Sequence, residues 1–304
     1  MAYLWLTLIA LLACGWTVLD GSGTGVGMIA ARVAPADRRR LLTAYGPFLL
    51  ANEMWLIAAA GLLAAVSPVT EARLLSGAYV VVVPLLAAWI LRDASFWLRA
   101  RRPGRVWRGV WDRVLVAAST AFAGCTGVLL GNVVQGLPAS GTVSPVHAYG
   151  PFPLLCGATM AALLAVHGAT FARTRLTGDP AARATATVRR LSPYAAGLAL
   201  TTVLASLLVA PSPAAALALA SPLAVLACRA QTSPPRAFAC SAIAVATPVL
   251  ALLVAASGTL LPTMNASPVV TALLPPALAV TLLYQAALWW LFRRPVNDRA
   301  AVFF

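Results

Sequence analysis

A glutamate stands inside an apolar run that is long enough to cross a membrane. The run, Gly46 to Gly61, reads GPFLLANEMWLIAAAG, and Asn52, Glu53 and Trp55 lie in its first two turns. A carboxylate within a hydrophobic span costs about 2.5–3.5 kcal/mol on insertion scales, so it normally faces protein rather than lipid. A carboxyl held away from water resists ionisation and can exchange a proton near neutral pH, the property that proton relays use. The competing reading is a structural carboxyl, hydrogen-bonded to a neighbour or to an arginine at a helix end. Only one other acid, Asp20, lies inside an apolar run. Glu53 and Asp20 are therefore the candidate proton-relay residues.

Other chemistries lack their residues. No G-x-S-x-G elbow, Walker A loop, HExxH pair or CxxCH haem motif occurs. Two histidines, His147 and His167, are too few for a multi-histidine metal or haem site within the chain, and His167 reads as a packed, hydrogen-bonded side chain. The five cysteines stand singly in apolar runs, where a thiol behaves as a small hydrophobe. No metal or cofactor is expected on this chain.

The elements that must position these acids are set by composition. Of 304 residues, 61% are apolar and 10% charged, with a mean hydropathy of +0.86. A soluble domain is about 45–50% apolar and about 25% charged. The surplus is surface that faces lipid, so the expectation is an all-α, polytopic membrane protein forming one integral-membrane domain over residues 1–304. Two four-helix bundles plus one extra helix would fit that count. The net charge of +14 invites a nucleic-acid reading. All 22 basic residues are arginine, however, and they cluster between the apolar runs. Topology explains them without nucleic acid, and anionic lipid headgroups are the expected partners.

Nine spans follow in order. Residues 2–31 form the first, retained rather than cleaved, since no basic segment precedes the run. Asp20 lies twelve residues before Arg32, roughly 18 Å from the basic end and near mid-membrane. The glycines of GSGTGVG (Gly21–Gly27) form two overlapping GxxxG pairs, read as helix-packing surface in preference to a ligand-binding loop. Further spans cover about 47–66, 74–91, 114–131, 152–171, 194–209, 214–227, 238–261 and 270–292. Basic loops come after spans one, three, five, seven and nine, beginning with Arg32 and ending with Arg299, whereas the even loops hold only Arg73. The positive-inside rule then puts the N-terminus outside and the C-terminus in the cytoplasm. AYGPF opens two spans, at Ala44–Phe48 and Ala148–Phe152, either as an inverted repeat or because Gly-Pro starts helices well.

These residues resemble subunit II of the cytochrome bd quinol oxidases. The first-span signature D/E-G-F-D-x-G-x-G is matched by Asp20 to Gly27, and G-P-x-W-D-G-N-E-V-W-L by Gly46 to Leu56. G-N-x-x-x-G-V corresponds to Gly131, Asn132, Gln135 and Gly136, and a glycine-alanine motif to His167-Gly168-Ala169. Asn265-Ala266-Ser267 and Tyr284-Gln285 also fit. Departures accompany the matches. The second acid of the first signature is Gly23, Trp-Asp before Asn52 has become Leu49-Leu50, and R-x-x-x-F-E-[FY]-R has lost its acid at Trp97.

The resemblance implies a divergent non-haem subunit of a quinol:oxygen oxidoreductase in a bacterial inner membrane. Its partner, the haem-bearing subunit I, would hold haem b and haem d (or haem b alone) and the quinol. Asn52, Trp55, Arg92, Arg99, Asn132, Gln135 and His167 are the polar residues expected to support Glu53 and Asp20. Arg92 and Arg99, seven residues apart, should share a helical face at the end of span three. Asp93, one turn before Trp97 on another face, could replace the lost acid. The alternative reading is a transporter or assembly factor built on the same helices.

Overall fold

A computed structural model describes residues 1–30, 33–138 and 140–296; Arg32 and Arg299 lie outside the described residues. Those residues are helical, with no strand among them. The helices are α1 (Ala2–Ile29), α2 (Pro35–Tyr45), α3 (Leu49–Val66), α4 (Pro68–Gly77), α5 (Tyr79–Arg99), α6 (Arg105–Gln135), α7 (Pro145–Ala148), α8 (Pro151–Arg175), α9 (Asp179–Val209), α10 (Ala215–Ala218), α11 (Ala220–Ala230), α12 (Pro234–Ala255), α13 (Ser257–Leu260) and α14 (Pro268–Leu291). Eight helical stretches in the described residues are long and apolar enough to cross a membrane, and the chain is a multi-pass membrane protein. The expected seventh span is carried by the shorter, interrupted pair α10–α11.

Several segments expected as loops are helical. Arg38–Arg40 lie on α2, Arg105, Arg108 and Arg113 on α6, and Arg183, Arg189 and Arg190 on α9. Glu71 and Arg73 lie on α4, so the third long helix starts at Tyr79. Hydropathy marks the hydrocarbon-deep part of a helix, whereas the helix itself runs on wherever its backbone hydrogen bonds continue.

The centre of the bundle is α8, which packs against α1, α6, α9 and α12. Its small residues permit this. A side chain at Gly168 would overlap the backbone of Gly25 in α1, and one at Gly127 in α6 would overlap the carbonyl of Cys156 in α8. In lipid, apolar surfaces gain nothing by leaving water, so such close backbone approach and its van der Waals contact hold helices together. Helix α14 is the opposite case, with Gln285 its one buried residue.

The predicted odd and even connections separate in space. Arg38 of α2 pairs with Asp112 of α6, and Arg183 of α9 with Asp37 of α2. Arg173 donates to the carbonyls of Gln231 and Thr232, and Arg175 to that of Phe292. The exits of spans one, three, five, seven and nine thus share one end. Ser67 and Thr263 are hydrogen-bonded 2.7 Å apart at another junction, where Asn265 N–H also donates to Val66 O.

Candidate proton-handling site

Position 20 follows the apolar half of α1, and Thr24 lies one turn further on the same face. Both side chains meet the guanidinium of Arg92, from the last third of α5. Arg92 Nη1 donates to Asp20 Oδ2 at 2.8 Å and to Thr24 Oγ1 at 2.7 Å. Nη2 donates to Glu53 Oε1 of α3 at 2.9 Å, and Nε to Asp93 Oδ1 at 2.9 Å. The Phe122 ring of α6 covers the guanidinium, 4.8 Å from Cζ. Every nitrogen of Arg92 is therefore used, which is what allows a cation to be 1% exposed in this place.

Three carboxyl groups surround one guanidinium, so the set balances only with two protons bound. Glu53 and Asp93 meet on the same guanidinium, Glu53 at Nη2 and Asp93 at Nε. The cluster is graded in exposure: the side chain of Asp20 is 1% exposed, that of Glu53 10% and that of Asp93 22%. A cavity of about 10 Å³ beside Asp20 is lined by Trp16, Thr17, Thr24, Phe122 and Thr126, about the room one water occupies. The Trp16 indole N–H is buried without a protein partner among the described residues.

A second polar chain fixes the first. Trp55 Nε1 donates to Gln285 Oε1 at 3.3 Å, Gln285 Nε2 to Asn52 Oδ1 at 2.9 Å, and Asn52 Nδ2 to Leu19 O at 2.8 Å. It runs from α14 through α3 to the residue before Asp20. His167 Nε2 sits 2.8 Å from Val18 O, and its Nδ1 2.7 Å from Ser241 Oγ. A carbonyl only accepts, so Nε2 carries hydrogen, and both ring nitrogens are engaged. The ring stacks on Phe238 at 4.8 Å.

The remaining predicted residues go elsewhere. Arg99 donates to Asp112 Oδ1 at 2.6 Å, and Arg38 to the other oxygen at 2.5 Å, an ion triad at the basic end. Asn132 holds the carbonyls of Val128 and Ala148, tying α6 to the turn before α8. Gln135, the last residue of α6, is exposed and apart from the cluster. Arg92 and Arg99 both face inward on α5, as expected, but they serve separate clusters. Asp93 joins Arg92 although it belongs to another face, its Oδ1 taking the Nε–H.

A sequence model of the family described as cytochrome bd terminal oxidase subunit II matches residues 1–292. The chain belongs to that family. The probable cytochrome oxidase subunit 2 of Haemophilus influenzae is 32% identical over 187 residues, 58% of this chain and 50% of that protein. The cytochrome bd-I ubiquinol oxidase subunit 2 of Escherichia coli K12 is 30% identical over 199 residues, covering 62% and 52%. The cytochrome bd ubiquinol oxidase subunit 2 of Bacillus subtilis is 32% identical over 209 residues, covering 66% and 60%. The chain spans little more than half the length of these relatives.

In this member of the family, the departures from the signature have local explanations. Trp97, where an acid is usual, is 49% exposed, whereas Asp93 is in the Arg92 cluster. Gly23, where the second acid is usual, lies under the ring of Tyr45. Tyr45, Thr24, Asp112 and Phe122 were not singled out from sequence. Thr24 alone carried a signal, its spacing of four from Asp20. Gln285 was legible only through the family resemblance, beside Tyr284, and its link to Asn52 was not.

Proposed function

We propose that this chain is the non-haem subunit of a two-subunit quinol:oxygen oxidoreductase of a bacterial plasma membrane. In this reading its Arg92 cluster holds protons and passes them toward the oxygen site of the partner. The observation that carries the reading is three carboxyls gathered on one guanidinium within membrane-spanning helices, two protons short of charge balance. Asp93 and Glu53 form the more open edge, where a proton enters. Asp20 is the closed end, with room for one water beside it. Arg92 stays charged throughout, because a guanidinium does not lose its proton in proteins, and so holds the acids together while their protonation changes.

The haems and the quinol belong to the partner, subunit I. This chain's own residues do not fit a haem, since the one histidine within the bundle has both nitrogens in use. Ubiquinol is the substrate in the names of the Escherichia coli and Bacillus subtilis relatives, and a quinol is assigned here by that kinship. The basic connections gathered at one end support a cytoplasmic C-terminus and an outside N-terminus.

Purification of the chain from its own host in mild detergent tests the assignment. A haem-bearing companion should co-purify, and quinol-driven oxygen consumption should require both chains. A homogeneous single-subunit species without haem would overturn the oxidase reading in favour of a transporter or assembly factor.

A further inference from the structure

Asp20 has two carboxylate oxygens, and they are held by different partners. Arg92 donates to Oδ2. The donor on Oδ1 is the hydroxyl of Tyr45, at 3.3 Å. Tyr45 is the last residue of α2, immediately before the Gly46–Phe48 turn that starts α3, and it is fully buried. Its ring is fixed between Phe96 and Phe171, each 5.8 Å away between centroids.

The ring reaches this place over Gly23. A Cβ at position 23 would overlap Cζ and Oη of Tyr45, so no side chain at 23 is compatible with this tyrosine. An acid at 23, as in the family signature, and a phenol from position 45 would compete for one volume. In this chain the phenol fills it and brings a polar group to the same spot. A phenol hydroxyl both donates and accepts, so it can serve Asp20 in either protonation state.

We propose that Tyr45 is a positioning residue of the Asp20 site, its hydroxyl fixing the carboxylate oxygen that Arg92 leaves free, and that Gly23 is the seat for its ring. The effect on turnover rests on the proton-handling reading above; the orientation of Asp20 does not.

The test uses the assembled complex with Tyr45→Phe, Gly23→Ala and the double variant Gly23→Ala/Tyr45→Leu. Tyr45→Phe keeps the packing and should assemble with the parental haem content. Its quinol-driven oxygen consumption should fall about tenfold, in line with the loss of one hydrogen bond to a charged group. Its infrared carboxyl bands should shift at the feature that Asp20→Asn abolishes. Gly23→Ala should lower the yield of complex, and adding Tyr45→Leu should restore yield without restoring turnover. Parental turnover together with an unmoved Asp20 band in Tyr45→Phe would overturn the proposal. So would recovery of full turnover in the double variant, which would make Tyr45 a packing residue only. A shifted band in Tyr45→Phe beside a fully active Glu53→Gln would uphold the positioning role while removing the relay.

Discussion

The Arg92 guanidinium lies 2.8 Å from the carboxylate of Asp20, and each side chain is about 1% exposed. The two residues are 72 positions apart and stand on helices α1 and α5. Because Glu53 of α3 shares the same guanidinium, one side chain couples three membrane-spanning helices. Removing it leaves three carboxyls without their shared cation, Asp20 among them almost wholly buried. Breaking a buried ion pair by deleting one partner costs about 3–5 kcal/mol. Arg92→Met should therefore lower the yield and the thermal midpoint of the complex severely. Arg92→Lys should rescue only part, since an ammonium cannot reproduce the three-way fork. Equal yields for parent and Arg92→Met would contradict this account.

Glu53 separates relay from scaffold. Glu53→Gln keeps size and one hydrogen bond to Arg92's neighbourhood but cannot exchange a proton, whereas Glu53→Ala removes both. If the acid relays protons, the Gln variant assembles normally and loses most of its quinol-driven oxygen consumption. Full activity in an assembled Gln variant rules the relay out. Asp93→Asn should behave like Glu53→Gln, because the two acids share the Arg92 guanidinium.

Helix packing gives a graded glycine series. Gly25→Ala should be poorly tolerated, since the new methyl would meet the Leu164 carbonyl and the Gly168 backbone. Gly21→Ala meets the end of the Leu164 side chain, which can turn aside, and Gly61→Ala meets nothing within 4 Å. Overpacking costs about 1–3 kcal/mol. Thermal inactivation midpoints should fall most for Gly25→Ala, less for Gly21→Ala and hardly at all for Gly61→Ala.

Two ion pairs at the basic end should differ in worth. Asp112 receives both Arg99 and Arg38 with a side chain 11% exposed, so Asp112→Asn leaves two largely buried cations short of an anion and should cost about 3 kcal/mol. Asp37 pairs with Arg183, which is 51% exposed. Its loss should cost less than about 1 kcal/mol and vanish at high salt. Denaturation of the two variants at low and high salt checks the contrast.

The sequence alone determined that this is a helical membrane protein, where its connections alternate, and that Asp20 and Glu53 do not face lipid. Those conclusions follow from transfer free energies, which depend on residue type and position along one helix and need no knowledge of neighbours. Family kinship was also legible, because signature residues keep their local spacing. Helix ends were misplaced at α2, α4, α6 and α9, where charged turns continue a helix past the hydrocarbon. Which residues meet was decided only by the tertiary structure. Arg92 and Arg99 were both expected to support Glu53 and Asp20 from one face of a helix; Arg92 closes on the two acids, while Arg99 turns to Asp112. Tyr45 gave no sign of its role, since a tyrosine before Gly-Pro reads as a helix boundary. Its hydroxyl meets Asp20 because the bare backbone of Gly23 lets α2 and α1 come close enough, a distance that no periodicity within either helix encodes.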